Sequence, residues 1–322
     1  MTIAFLSYLA QDRIKKDQRG LKRVFDVKKQ IHEYKERQRD RGRLLVSCSD
    51  RPGIIAAISR FLFDHGANII ESSQYSLNPH GGEFFIRVAF ECPELALKKA
   101  QIMSEFQEVA DRFSMDWKLH LVSELKKTAI FVSKERHCLR ELLWAWQNGD
   151  LMTDIALIIS NHKEAKDEAE ALNIPFFYMP ASRENRAEVE RKQLRLLAEN
   201  DIDLIVLARY MQILTPNFVS SYPRQIINIH HSFLPAFVGA RPYERAYQRG
   251  VKLIGATSHY VTNDLDEGPI IEQDVMRVDH RDDVDDLKKI GRNIERSVLI
   301  RAVKWHLEDR VIVHGNKTIV FS

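Results

Sequence analysis

The hydrophobic positions of this chain change rhythm twice, near residue 43 and again at a polar break, Glu124-Leu125-Lys126-Lys127. Between those points the elements are short and alternate in type. Leu44-Leu45-Val46-Ser47-Cys48 predicts a strand, and Ser49-Asp50-Arg51-Pro52-Gly53 a turn into a helix with Ile54, Ile58, Phe61 and Leu62 on one face, ended by Gly66. A strand from Asn68 to Leu77, a hairpin at Pro79-His80-Gly81-Gly82, and the alternation Phe84, Ile86, Val88, Phe90 predict two paired strands, the second half-buried. Pro93 opens a helix carrying Leu97, Ile102, Phe106 and Val109, and Trp117 to Val122 supplies a last strand. The order is βαββαβ, a ferredoxin-like unit over residues 43–123.

Residues 124–127 form a short linker, after which strands and helices alternate over 128–322. Thr128 to Val132, Ile155 to Ser160, Phe176 to Met179, Leu204 to Leu207 and Gln225 to Ile229 predict strands; helices run from Cys138 to Trp146, Glu164 to Leu172 and Arg186 to Glu199. This alternation implies right-handed crossovers and a Rossmann-like, mostly parallel sheet. Two more strands, Lys252 to Val261 and one from Ile270, precede a helix from Asp283 to His306, whose Leu287, Ile294, Val298 and Ala302 pack across the sheet. The fold class is α/β, and 322 residues allow two domains.

Charge changes the picture at the N-terminus. Residues 11–43 hold thirteen Lys/Arg against six Asp/Glu, while the whole chain carries only +3, so the folded part is mildly acidic. Nucleic-acid binding by the body is thereby excluded. Residues 1–42 are expected to form a basic extension, helical or disordered. No apolar run is long enough to span a membrane, and Met1 to Ala10 lacks the pattern of a secretory signal. Cys48, Cys92 and Cys138 are widely spaced, without a Cys-x-x-Cys pair; they fit a reducing cytoplasm and read as small buried hydrophobes.

Candidate chemistry concentrates between Asn228 and Tyr243. Asn228 and His230, two apart after the apolar Ile226-Ile227, project from one face of a strand end, where open α/β sheets bind ligands. An amide and an imidazole there can both donate to one oxygen, as a carbonyl becoming a tetrahedral oxyanion requires. A lone histidine in that place is more often a half-buried cap. The loop with Pro235, Gly239 and Pro242 is backbone-constrained and expected to wall the strand end. A second polar loop, Asn263-Asp264-Leu265-Asp266-Glu267-Gly268-Pro269, offers Asp266, either as a partner for His230 or as a turn carboxylate capping Gly268.

The Asn-x-His after a strand and the later Leu-Asp-x-Gly-Pro resemble the folate-dependent formyltransferase family. The run from Asn228 through Asp274 and the tail Gly315-Asn316-Lys317-Thr318 are most similar to its hydrolytic, deformylase branch. The βαββαβ unit, entered through Asp50-Arg51-Pro52-Gly53-Ile54, resembles the ACT domain, a small regulatory module. These resemblances imply hydrolysis of 10-formyltetrahydrofolate to tetrahydrofolate and formate, supplying formate and balancing the one-carbon pool for purine biosynthesis. The alternative is formyl transfer to a small amine.

Carried onto this sequence, the family's pattern implies Asn228 and His230 as oxyanion donors and Asp266 as the carboxylate that orients the imidazole, helps deprotonate the nucleophile and relays a proton to the leaving amine. It implies a folate pocket at Met211, Gln212, Ile213 and Leu214, with His259 behind it. Gln212 stands where the family often has Arg, and Val238 where some relatives carry Lys. His231 is expected to point away from His230. The turn Ser133 to Cys138 lacks the glycine-rich phosphate cradle of transferases acting on phosphorylated amines, which favours water as acceptor. Asp50, Pro52 and Gly53 are candidates for binding an amino-acid effector at a helix N-terminus; assembly of a homo-oligomer is the other use of that module. No metal ligand set and no cofactor-binding loop is expected, and the location is expected to be cytoplasmic.

Overall fold

The computed structural model describes residues 27–78, 81–236 and 241–322. Pro79 and His80 of the expected hairpin, Val238 and Gly239 of the expected wall, and most of the basic extension lie outside the described residues. The chain divides into two compact units, one built on residues 126–304 and the other on residues 30–125 with 305–322.

The smaller unit follows a helical stretch, α1, over residues 27–37. Strands β1 (Arg41–Ser49), β2 (Asn68–Ser76), β3 (Glu83–Glu91) and β4 (Asp116–Leu121) form an antiparallel sheet in the order β2-β3-β1-β4. Helices α2 (Ile54–Asp64) and α3 (Leu95–Phe113) bury Ile54, Ile58, Phe61, Leu62, Ile102 and Phe106 in one apolar cluster with Val46, Ile86 and Phe90. Leu97, expected in that core, is exposed on α3, and Leu95, two residues earlier, is buried instead.

One expectation is corrected here. β3 was read as half-buried, yet Phe84 through Val88 are all buried, including the outward-alternating Phe85 and Arg87. Residues 305–322, which the sequence leaves with the second domain, cover that second face. They form a hairpin of β12 (Val311–His314) and β13 (Lys317–Val320), and the His314 ring meets Phe85 edge-on at 5.3 Å. Arg87 donates to the carbonyls of Asp309 and Glu308 at 3.0 and 3.2 Å. The buried Asp309 carboxylate pairs with Arg43 at 3.1 Å and His120 at 2.7 Å.

The larger unit carries a seven-stranded sheet in the order β11-β10-β9-β8-β5-β6-β7. β5 (Lys127–Val132), β6 (Asp154–Ser160), β7 (Phe176–Tyr178), β8 (Leu204–Ala208) and β9 (Ile226–His230) are parallel. β10 (Leu253–Tyr260) and β11 (Ile270–Arg277) add antiparallel neighbours. β5, β8 and β9 are buried nearly throughout, as strands covered on both faces must be. Helices α4 (His137–Gln147), α5 (Lys166–Glu170), α6 (Arg186–Glu199) and α9 (Val284–Leu307) match the expected spans within a few residues at most ends. Two short helices escaped the sequence reading, α7 (Pro216–Ser221) and α8 (Pro242–Arg249). Each starts on proline, and at α7 the Thr215 hydroxyl caps the Phe218 amide. The three cysteines are buried and unpaired, as expected.

The Asp309 cluster predicts an outcome. Asp309→Ala removes the buried acceptor shared by Arg43 and His120 and should destabilise the smaller unit by roughly 3 kcal/mol. Hydrogen exchange should show residues 305–322 losing protection before the strands of the sheet; uniform protection in the variant would contradict this anchoring role.

Candidate active site

Strand pairing assembles the site. β10 lies antiparallel to β9 with His259 opposite Asn228 and Thr257 opposite His230. The Asn228 amide nitrogen is 3.2 Å from His259 Nε2, and His259 Nδ1 is 3.0 Å from the Tyr260 carbonyl oxygen. A carbonyl only accepts, so Nδ1–H donates to it, which leaves Nε2 to accept from Asn228. One amide hydrogen of Asn228 is thereby fixed and the other is left to donate elsewhere.

Asp266 arrives from the loop between β10 and β11, in a left-handed conformation with φ 58°. That loop is folded tightly: Tyr260 N donates to Pro269 O at 2.9 Å, and a Cβ at Gly268 would come within 1.8 Å of Tyr260 O. Glycine at 268 is therefore a steric requirement of the turn that aims Asp266 inward. Its carboxylate lies 3.3 Å from His230 Nδ1 and 3.6 Å from His259 Nε2. The second distance exceeds a hydrogen bond, so His230 is the principal partner. Burial opposes ionisation of Asp266, but the hydrogen bond from His230 overrides it and holds the carboxyl well below its usual range. His230 Nε2 is buried and meets no hydrogen-bond partner among the described residues. The site thus holds an ionised carboxylate, an imidazole with one committed and one uncommitted nitrogen, and an oriented amide.

The loop after β8 completes one wall. Arg209 takes a left-handed φ of 63°, and Ser133 binds the loop on both sides of Tyr210: its amide donates to Arg209 O at 3.2 Å, and its Oγ accepts from Met211 N at 2.9 Å. Met211 and Ile213 are exposed, Gln212 is half-buried, and Leu214 packs back against the core around Phe218. Leu214 is therefore placed by packing as well as by any ligand.

A second buried cluster was missed. Glu295 on α9 is 1 % exposed and accepts from His137 Nε2 at 2.7 Å and from the Tyr243 hydroxyl at 2.8 Å, with Arg209 Nε at 3.4 Å. Burial opposes its ionisation, and the His137 and Arg209 contacts reverse that, lowering its pKa. Gly291, one turn earlier, lets the Tyr243 ring approach; a Cβ there would meet the hydroxyl at 2.0 Å. The signal was present in sequence, because Glu295 falls in register with Leu287, Gly291, Val298 and Ala302 on the buried stripe. His137, Cys138 and Glu295 bring three donor types within 4.8 Å of one another. Arg209 already stands as the cation beside Glu295, and burial pushes the Cys138 thiol far up, which opposes a metal ion there. In the first turn, Arg136 and Arg140 both bind Glu168, so neither is left uncompensated.

His231 corrects another expectation. Its ring does not turn away: its centroid lies 5.2 Å from that of His230 and 6.1 Å from that of Tyr243. The bend that follows β9 ends the strict alternation after His230, so neighbouring rings can share one side.

In the smaller unit, Gly53 is the N-cap of α2 with φ 97° and no side-chain cap, and Pro52 is exposed. Asp50 is half-buried, and its amide donates to Gly82 O at 2.7 Å.

With this geometry in view, comparison with known proteins is decisive. A sequence profile of the formyl transferase family matches residues 126–303, and one of ACT domains matches residues 42–105. Formyltetrahydrofolate deformylase of Bacillus subtilis (strain 168) is 67 % identical over 292 residues, covering 91 % of this chain and 97 % of that protein. The chain belongs to the formyltetrahydrofolate deformylase family. Within that family, the crystal structure of the enzyme from Pseudomonas syringae pv. tomato str. DC3000 superposes with a TM-score of 0.83 at 45 % identity, over 88 % of this chain and 95 % of that one. The phosphoribosylglycinamide formyltransferase of Coxiella burnetii matches more narrowly, with a TM-score of 0.57 at 31 % identity over 61 % of this chain and 94 % of that one. The deformylase family's two-part α/β architecture is thus the architecture seen here, with a ferredoxin-like ACT domain ahead of a mostly parallel formyltransferase sheet.

Acid should reveal the environment of His231. Burial first, then Arg209 and His230, lower its pKa from 6.5 to about 4. The unfolded chain takes up this proton first, so stability is fully present above pH 6.5 and is lost as pH falls toward 4. His231→Gln should flatten that part of a thermal-midpoint profile; an unchanged slope would place His231 in a different environment.

Proposed function

We propose that this protein hydrolyses 10-formyltetrahydrofolate to tetrahydrofolate and formate. The observation that carries the reading is the His230–Asp266 pair at 3.3 Å with His230 Nε2 uncommitted beside the oriented Asn228 amide. As water attacks the formyl carbon, negative charge grows on the formyl oxygen. Asn228 and the imidazolium form of His230 donate to it, each such fixed donor contributing about 3 kcal/mol. Asp266, held ionised, balances the imidazolium and fixes the ring so that Nε2 faces the reacting group. When the C–N bond breaks, the nitrogen keeps the electron pair and takes the proton from His230.

The folate lies along Met211, Gln212, Ile213 and Leu214 in this reading, where backbone groups are available and two apolar side chains are open to solvent. His259 acts through Asn228 rather than on the substrate. The chemistry needs no cofactor, since each charge change has a side chain of this chain to meet it. The ACT domain binds a small amino acid near Asp50, Pro52 and Gly53, where the first turn of α2 has amides without a side-chain cap, and supports assembly into a homo-oligomer. Among the described residues no helix is long and apolar enough to cross a membrane, in keeping with a cytoplasmic enzyme that returns formate to purine synthesis. Transfer to a small amine is the second reading, favoured by the likeness to the Coxiella burnetii transferase. Coverage of nearly the whole chain by deformylases favours water.

Purified protein given 10-formyltetrahydrofolate and no amine should release formate and tetrahydrofolate one for one. Asp266→Asn should lower turnover about 10²- to 10⁴-fold while folate binding holds. Binding without release in the wild-type protein would overturn hydrolysis in favour of transfer, and normal turnover in the variant would remove Asp266 from the mechanism.

A further inference from the structure

Hydrolysis needs a group to take a proton from the attacking water, and the two residues that hold the oxyanion are donors. Asp266 is a poor candidate for that task. Its carboxylate is turned onto His230, with His259 nearby, and is held far below the range in which a carboxylate accepts protons near neutrality.

The next residue along the chain has the required position. The His231 ring lies 5.2 Å from the His230 ring, inclined by 37°, so the two imidazoles are direct neighbours. His230 Nδ1 faces Asp266, and its uncommitted Nε2 is the nitrogen left for the substrate. On its other side His231 faces Tyr243, whose hydroxyl is held by Glu295, itself paired with His137 and Arg209. These anchored neighbours give His231 a fixed wall. It is half-buried, so water reaches it.

We propose that His231 is the catalytic residue that positions the nucleophilic water and accepts its proton. The inference rests on the hydrolytic reading above. Water oxygen bonds to the formyl carbon, the carbonyl π pair moves to the formyl oxygen, and the displaced water proton goes to a His231 ring nitrogen. The tetrahedral adduct then collapses. The C–N bond breaks, its pair stays on nitrogen, and nitrogen takes a proton from His230. Formic acid leaves and ionises, and the proton on His231 passes to His230 to reset the pair.

The charged groups around the ring suit this sequence. Arg209 and His230 are the cationic neighbours, and Glu295 and Asp266 the anionic ones; Tyr243 is kept un-ionised by burial and by Glu295. The balance keeps His231 neutral, and so an acceptor, before attack. As negative charge grows on the formyl oxygen, and again when His230 gives up its proton, the neighbourhood becomes less positive and the ring holds its new proton better.

The test uses full-length wild-type protein, His231→Ala and His231→Gln, with formate release from 10-formyltetrahydrofolate measured without amine. Wild-type release tests hydrolysis itself, and the ratio of variant to wild type tests His231. Both variants should lose kcat about 100-fold or more with KM within about twofold. Free imidazole should restore a part of the rate to His231→Ala and none to His231→Gln, whose side chain fills the space. Tight folate binding by both variants confirms that they are folded. A kcat within about threefold of wild type, a loss expressed in KM, or a loss that imidazole leaves untouched would each overturn the proposal.

Discussion

Asp266 must be ionised and buried at once, and the site depends on how that is made possible. A carboxylate removed from water is unstable unless charge or donors replace its hydration. Here His230 does so directly, and His259 stands close by. The contact that keeps Asp266 charged fixes the His230 ring in orientation, while His259, held by the Tyr260 carbonyl, fixes the Asn228 amide. Two strands in register and one glycine-dependent turn are enough to hold all four groups, since β9 and β10 set three of them by pairing and Gly268 allows the turn that delivers the fourth.

A second charge cluster lies under the opposite side of the site. Glu295, His137, Tyr243 and Arg209 come from α9, the start of α4, the start of α8 and the end of β8. The last three are positions that a parallel sheet brings to the carboxyl ends of its strands, and Glu295 meets them from the middle of α9. A buried carboxylate with three partners is weak evidence for stability by itself, because hydrophobic packing would serve as well. Its value here is positional. It fixes the Tyr243 ring on one side of His231 and places the Arg209 cation nearby, while Asp266 fixes His230 on the other side.

Much of this was legible in the sequence, for identifiable reasons. Long periodic segments such as Arg186–Glu199 and the apolar strands β5, β8 and β9 carried their own signal, and Asn228, His230 and Asp266 stood in loops or strand ends with recognisable spacing. What was missed depended on long-range contact. The second face of β3 alternates with Phe85 and Arg87, which local pattern assigns to solvent; a hairpin more than two hundred residues away covers them. Glu295 was passed over, although its place in the buried stripe marked it. His231 was assigned by strand alternation, a rule that holds only while the strand continues, and β9 ends at His230.

That ending has a chemical meaning. Alternation within a strand would put successive side chains on opposite faces, giving one histidine to the site and one to the core. Ending the strand at His230 lets two consecutive imidazoles sit side by side in unlike surroundings, one against a carboxylate and one against Arg209 and a tyrosine. The first is bonded to Asp266 through Nδ1 and charge is opposed on the second, the division of labour that the proposed donor and acceptor roles use. Addition of water to an amide carbonyl requires that division, because the oxygen must be stabilised by a proton donor while the nucleophile gives its proton away. A transfer to an amine asks less of such an acceptor, since a neutral amine attacks before it loses its proton. The strand end at His230 is thus the point at which this chain sets a second imidazole beside the first, the arrangement that the proposed hydrolysis uses.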